Sequence, residues 1–331
     1  MSATYLQAVQ LRSLDEPLSP EYASLAASMH PTVRSLLVHN VDPRKVAAPD
    51  LLAALRLTGT AHDLARRRCQ NGVCDIPEAL TTAQCAKLRE VVDGARMSAF
   101  DSIDGRLEYQ LNITAACLAT LIGQPTVDRL QQLASEYFAG LWAPLSPEAL
   151  AEAEAKGIRT APKLPAEPHE VFVRRYSAGT RPWVGFHHDT SSLTLNIALS
   201  DDGAHTGGRL LALLDDGLRV CERREGSATM HASRLLHAVT RMGTGTRHSL
   251  ILFYRQVCPV AAHALVRCGA ESMALFYPLS EGSYSCDTCG DGAHELTGCD
   301  MWHCAEGCEY DVCHDCHEHS PADGVEYVSV R

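Results

Sequence analysis

The run Phe186-His187-His188-Asp189-Thr190-Ser191-Ser192-Leu193-Thr194-Leu195-Asn196-Ile197-Ala198-Leu199 decides how the chain is read. On an extended strand successive side chains alternate between faces, so His187 and Asp189 project together and His188 to the opposite side. Residues 193–199 continue as a strand. A third donor, His237, stands on a later predicted strand. Two imidazoles and one carboxylate make a metal-binding set that leaves coordination positions open. A lone His-x-Asp pair also occurs as plain surface polarity; the spaced His237 turns the expectation toward a metal site. His188, His231 and His248 are read as core or surface histidines rather than ligands.

Working outward, the period of apolar residues is two from residue 171 onward. Strand-like runs occupy residues 171–176, 193–199, 209–214, 226–230, 235–240 and 247–254. Turn residues separate them, at 200–203, 215–217 and 243–245. Many short strands at this spacing predict a jelly roll or small barrel. Ahead of them, residues 82–92 and 126–141 read as helices and residues 108–113 as a strand, while 143–168, rich in Ala, Pro and Glu, read as an insertion or lid. Residues 1–70 read as helical, with Ser19-Pro20-Glu21 as one helix start. The expected organisation is α+β: a helical region 1–70, a catalytic domain 71–258 with its barrel core at 171–255, a linker 259–280 and a cysteine-rich module 281–331.

The metal set acquires a use from Arg247, ten residues after His237 across the turn Met242-Gly243-Thr244-Gly245. A hairpin of that length returns a guanidinium to the same pocket, where its planar fork can grip a carboxylate through paired hydrogen bonds. 2-Oxoglutarate offers such a distal carboxylate, and its keto-acid end can chelate iron. Tyr176 could add a hydroxyl to that grip, and Asn196 is either pocket lining or strand support. Gly207-Gly208 marks a place where backbones pass closely.

Arg175-Tyr176, His187-x-Asp189, Thr194-Leu195-Asn196-Ile197-Ala198-Leu199, Gly207-Gly208, His231, Arg234, Leu236-His237 and Gly245-Thr246-Arg247 occur in that order. This order resembles the catalytic core of the Fe(II)/2-oxoglutarate oxygenases of the prolyl 4-hydroxylase and lysyl hydroxylase group. The resemblance spans roughly residues 71–256 and implies a double-stranded β-helix. It further implies that His187, Asp189 and His237 hold Fe(II), that Arg247 holds 2-oxoglutarate with Tyr176 and Asn196 nearby, and that ascorbate serves as reductant. The implied reaction is hydroxylation of a prolyl or lysyl side chain in a protein, with oxidation of 2-oxoglutarate to succinate and CO2. The sequence is also compatible with two other readings: an oxygenase acting on a small molecule, and an inactive oxygenase fold serving as a binding or adaptor protein.

Composition bounds the partners. At 331 residues the chain is 46% hydrophobic and 21% charged, as in ordinary globular proteins. Its net charge of −11 is concentrated at one end: from Glu281 onward there are twelve acidic residues against the single Arg331, and the rest carries 28 of each sign. Such a surface argues against nucleic acid and suits a basic peptide. No apolar run approaches the roughly 18 residues of a membrane span. The first residues lack the basic and apolar regions of a secretory signal, so a cytoplasmic or nuclear location is expected.

Seven of the fourteen cysteines fall between Cys286 and Cys316. Cys286-x2-Cys289, Cys304-x3-Cys308 and Cys313-x2-Cys316 have zinc-ligand spacing. A piece this short has little core, so Zn2+ would supply most of its folding free energy. Together with Trp302-His303-Cys304 and Cys308-Glu309-Tyr310-Asp311-Val312-Cys313-His314-Asp315-Cys316 the pattern resembles a ZZ-type zinc finger. By resemblance, Cys286, Cys289, Cys313 and Cys316 share one zinc, and Cys304 and Cys308 share a second with His317 and His319. His317 and His319 follow Cys316 sooner than in that family, and His294 and Cys299 compete as ligands. ZZ modules bind protein segments, so the finger is expected to recruit a partner.

Overall fold

A computed structural model describes residues 18–55, 73–95, 100–101, 105–141, 168–189, 191, 193–214, 217–232 and 235–254, with 265–269, 283–284, 286, 294–295, 301–304 and 311–319 in the C-terminal part. Two antiparallel sheets form its centre. The larger has the order β1 (Val73–Ile76), β8 (Ala228–Ala232), β5 (Leu193–Ala198), β10 (Thr246–Tyr254), β3 (Glu170–Ser177), β2 (Gln110–Asn112). The smaller runs β4 (Val184–His187), β9 (His237–Val239), β6 (Leu210–Leu214), β7 (Gly217–Cys221). Helices cover the outer face of each. No helix among the described residues is long and apolar enough to cross a membrane.

Period-two alternation sorts the side chains. On the outer face of the larger sheet Val171, Val173, Leu193, Leu195, Ile197, Met230, Leu250 and Leu252 pack against three helices, α4 (Thr82–Asp93), α5 (Ala115–Ile122) and α6 (Gln124–Leu141). Helix α4 starts in a capping box, in which the Thr81 hydroxyl accepts from the Gln84 backbone N–H and the Gln84 side chain accepts from that of Thr81. The smaller sheet buries Phe186, Leu211, Leu213 and Ala238 beneath α1 (Pro20–Ser28), α2 (Pro31–Leu37) and α3 (Ala48–Ala54). Leu36, Leu37 and Leu51 of these helices are fully buried. The described N-terminal helices are thus a layer packed on the smaller sheet. Between the sheets lie Val73, Tyr176, Val184, Leu210, Ala212, Cys221 and Val239, with the polar inner residues beside them.

Several sequence expectations need correction. Ser19 precedes α1, but its side chain makes no capping bond. Strands β8 and β9 are Ala228–Ala232 and His237–Val239 rather than 226–230 and 235–240. Strands β1 and β7 and helix α5 are additional to the expected elements, and the strand expected to carry His187 and Asp189 is β4, which ends at His187. The insertion at 143–168 lies outside the described residues except for Pro168. Residues 265–268, placed in the linker, form β11 (Leu265–Cys268). That strand pairs with β12 (Met301–Cys304), which pairs with β13 (Asp311–Cys313), so they belong to the cysteine-rich module's sheet.

Gly207 shows how closely the backbones ahead of β6 and after β9 pass each other. It bridges to Met242 at φ +67°, and a Cβ there would lie 1.9 Å from the carbonyl oxygen of Arg241. That neighbour is backbone and cannot swing aside. Gly207→Ala is expected to lower stability by about 2–4 kcal/mol, read by chemical denaturation, because the left-handed conformation and the collision add.

Candidate active site

His187, Asp189 and His237 converge, with one donor atom from each lying within 4.8 Å of the others. The His187 and His237 Nε2 atoms are each 3.6 Å from Asp189 Oδ1, and the two rings are 4.2 Å apart. The route to this geometry differs from a plain strand. β4 ends at His187, and Asp189 lies in the following non-strand segment. Val184 pairs with Val239 and His187 with His237, so three steps on β4 match two on β9. This β-bulge re-aims the strand. It lets Val184 and His187 both face inward while Phe186 packs outward under the helices.

Backbone carbonyls orient both imidazoles. His187 Nδ1 is 2.8 Å from Gly185 O, and His237 Nδ1 is 2.9 Å from Leu235 O. Each Nδ1 therefore carries the proton, and each Nε2 lone pair faces the carboxylate, as metal-binding histidines require. Thr194 donates its hydroxyl to Asp189 Oδ2 at 2.5 Å, leaving Oδ1 toward the histidines. Burial alone would raise the Asp189 pKa, but His237 and His187 beside it hold it far below the ordinary carboxylate range. Burial depresses His237 to about 3, so it stays neutral and able to ligate. This donor set fits a divalent cation such as Fe(II) with positions left open.

His231 was read as an ordinary core or surface histidine, and the structure aims it at the site. It is buried, its Nδ1 is 2.9 Å from Ala232 O, and its Nε2 has no hydrogen-bond partner and lies 4.0 Å from Asp189 Oδ2. Position on β8 opposite Thr194 puts it there. His248, by contrast, faces α4, with Nε2 2.9 Å from Asp93.

Arg247 opens β10 directly across from Tyr176 on β3. It is 1% exposed, and all three guanidinium nitrogens are buried without a hydrogen-bond partner. The Tyr176 ring lies 4.7 Å from its guanidinium carbon. Tyr176 thus lies against Arg247, where its hydroxyl stays close to the guanidinium. Burial draws the Arg247 pKa down from its usual value. A planar anion is the natural occupant of such an orphaned fork. Asn196 faces inward as well, but its Oδ1 accepts from Arg223 Nη2 at 2.7 Å.

In the C-terminal part, Cys286, Cys313 and Cys316 bring their sulfurs within 4.8 Å of one another. Cys289, Cys299 and Cys308 lie outside the described residues, as does the His319 side chain. Cys304 is buried, and the His317 ring stacks on Trp302 at 3.7 Å, 3° from parallel. Among the described residues no second convergent cluster includes Cys304 and His317.

Thr194→Val keeps the shape of the side chain and removes the bond that fixes Asp189. Mn(II) affinity, read by titration, is expected to fall roughly 10–100-fold with little change in melting temperature.

No protein-family model matches the chain. Over 84 residues, 25% of this chain and 11% of the relative, it is 37% identical to the multifunctional procollagen lysine hydroxylase and glycosyltransferase LH3 of Rattus norvegicus. Over 108 residues it is 32% identical to the human 2-oxoglutarate and iron-dependent oxygenase domain-containing protein 2, covering 28% of this chain and 30% of that protein. The chain therefore spans less than a third of either relative. A Pseudomonas putida prolyl-4-hydroxylase superposes with a TM-score of 0.37 at 16% identity, covering 60% of this chain and all of that one. About a quarter of the chain is thus similar in sequence to proteins named as lysine hydroxylases and as iron- and 2-oxoglutarate-dependent oxygenases.

Proposed function

We propose that this chain is an Fe(II)- and 2-oxoglutarate-dependent oxygenase that hydroxylates a prolyl or lysyl side chain of a protein. The observation that carries the reading is the pairing of an oriented His187–Asp189–His237 set with a buried, unpartnered Arg247 on the inner face of the same two-sheet core. A metal site alone would serve many chemistries. A metal site plus an orphaned guanidinium matches a ligand with a chelating end and a carboxylate at the other. The named relatives support the same direction.

The residues divide the work. His187 and His237 present Nε2, and Asp189 presents Oδ1, to the cation. Thr194 and the carbonyls of Gly185 and Leu235 hold those donors in place before anything binds. Arg247 takes the far carboxylate of 2-oxoglutarate and fixes its register, with Tyr176 against the guanidinium. Bound Fe(II) would supply the redox chemistry that couples oxidation of 2-oxoglutarate to succinate and CO2 with hydroxylation of the substrate. The low exposure of these groups keeps water from the reacting end.

The C-terminal module is read as a zinc finger that recruits a protein partner, and its acidic charge favours a basic segment. Three converging cysteines support a first zinc, with Cys289 as the fourth ligand by spacing.

Two measurements test these readings. Succinate formation from 2-oxoglutarate, with Fe(II), ascorbate and candidate peptides, is expected in the native chain and absent in His237→Ala. Arg247→Ala is expected to lower kcat/KM for 2-oxoglutarate by about 100-fold or more, the loss of two charge-assisted bonds. Succinate formation that does not depend on Fe(II) and His237, or none with any peptide, contradicts the enzyme reading. For the module, zinc near or above about one per chain is expected after purification in reducing buffer; a content near zero contradicts it.

A further inference from the structure

The interior holds a second buried guanidinium. Arg223 lies between β7 and β8 and is 3% exposed. Its Nη2 donates to Asn196 Oδ1 at 2.7 Å and its Nη1 to Ser249 Oγ at 3.0 Å. Ser249 is two residues after Arg247 on β10, so both face the pocket from the same side of the sheet. Asn196, on the neighbouring strand β5, faces it too. Arg223 is therefore held from two strands beside the residue that grips the carboxylate.

The charges nearby do not balance. Arg209 pairs with Asp202 at 3.1 Å, and the same carboxylate accepts the Arg223 backbone N–H at 3.1 Å. Among the described residues neither Arg223 nor Arg247 has a carboxylate within ion-pair distance. Arg223 Nε and all three Arg247 nitrogens lack hydrogen-bond partners. Two adjacent buried cations that share one carboxylate, Asp202, already paired to Arg209, are unfavourable unless a ligand supplies further negative charge. We propose that Arg223 is a second recognition residue for the far carboxylate of the 2-oxo diacid, sharing that group with Arg247.

A carboxylate has about four lone-pair sites, enough for the Arg247 fork and one further bond from Arg223. Burial and the neighbouring Arg247 charge draw the Arg223 pKa down to about 9, consistent with a pocket short of negative charge. The arrangement makes the far carboxylate the main determinant of cosubstrate choice, so a 2-oxo acid with an uncharged tail is strongly disfavoured.

This role rests on the 2-oxoglutarate reading, and one calorimetric experiment separates the two. Mn(II)-loaded native protein, Arg223→Met, Arg223→Lys and Arg247→Met are each titrated with 2-oxoglutarate and with 2-oxopentanoate, which lacks the far carboxylate. Arg223→Met is expected to weaken 2-oxoglutarate about 10–100-fold and leave 2-oxopentanoate unchanged. Arg223→Lys, which keeps the charge and loses the fork, falls between. Equal weakening of both ligands overturns the proposal, since it marks a purely architectural arginine. Unchanged 2-oxoglutarate binding in Arg223→Met, alongside loss in Arg247→Met, overturns it while the cosubstrate reading stands. Native protein that binds no 2-oxoglutarate overturns both. Should Arg223→Met not fold, Arg223→Lys decides: selective weakening of 2-oxoglutarate supports the role, and native-like affinity overturns it.

Discussion

Apolar cover on both outer faces of a two-sheet core is the constraint on which everything else depends. Every residue of β5 is buried, because α4–α6 pack on one side of its sheet and the smaller sheet lies on the other. Alternation then leaves only one place for polar side chains. Leu193, Leu195 and Ile197 go outward, and Thr194 and Asn196 go inward. The same rule turns His231 on β8 and Arg247 and Ser249 on β10 into the interior. Buried polar groups need partners. Thr194 finds Asp189, Asn196 and Ser249 find Arg223, and the Arg247 guanidinium nitrogens are left without a hydrogen-bond partner.

The metal set adds a second constraint, which alternation alone does not satisfy. Val184 and His187 must both face inward although they are an odd number of residues apart. The extra residue in β4 resolves this, and Phe186 becomes an anchor for the N-terminal helices. Those helices therefore bear on the site indirectly. They cover the outer face of the strand that carries His187, and Arg241 N–H donates to Leu37 O near the turn leading to Arg247. Carbonyl acceptors at Gly185 and Leu235 then fix the imidazole tautomers without any further side chain.

The sequence revealed the chemistry more readily than the geometry. His187, Asp189, His237 and Arg247 were legible because their residue types and spacings are unusual together. Long strands such as β3, β5 and β10 were legible from alternation. The bulge in β4 was not, since its cause lies in pairing with β9. Strands β1 and β7 are short edge strands with weak patterns, and β1 reads locally as the approach to α4. Arg223 was hidden in Glu222-Arg223-Arg224-Glu225, which reads as a solvated charge run, although Arg223 is buried while Glu222 and Arg224 are exposed. His231 resembled any core histidine, because its role follows from facing Thr194 across a sheet.

The central claim is that one interior holds a cation on His187, Asp189 and His237 and a 2-oxo diacid on Arg247 at the same time. Visible absorption of the anaerobic protein tests this most directly, since chelation of Fe(II) by a 2-oxo acid produces a charge-transfer band that neither gives alone. The account predicts a saturable band with Fe(II) and 2-oxoglutarate together, lost in Asp189→Ala and shifted to much higher 2-oxoglutarate concentration in Arg247→Met. A native protein that binds Fe(II) yet develops no band with 2-oxoglutarate would contradict it.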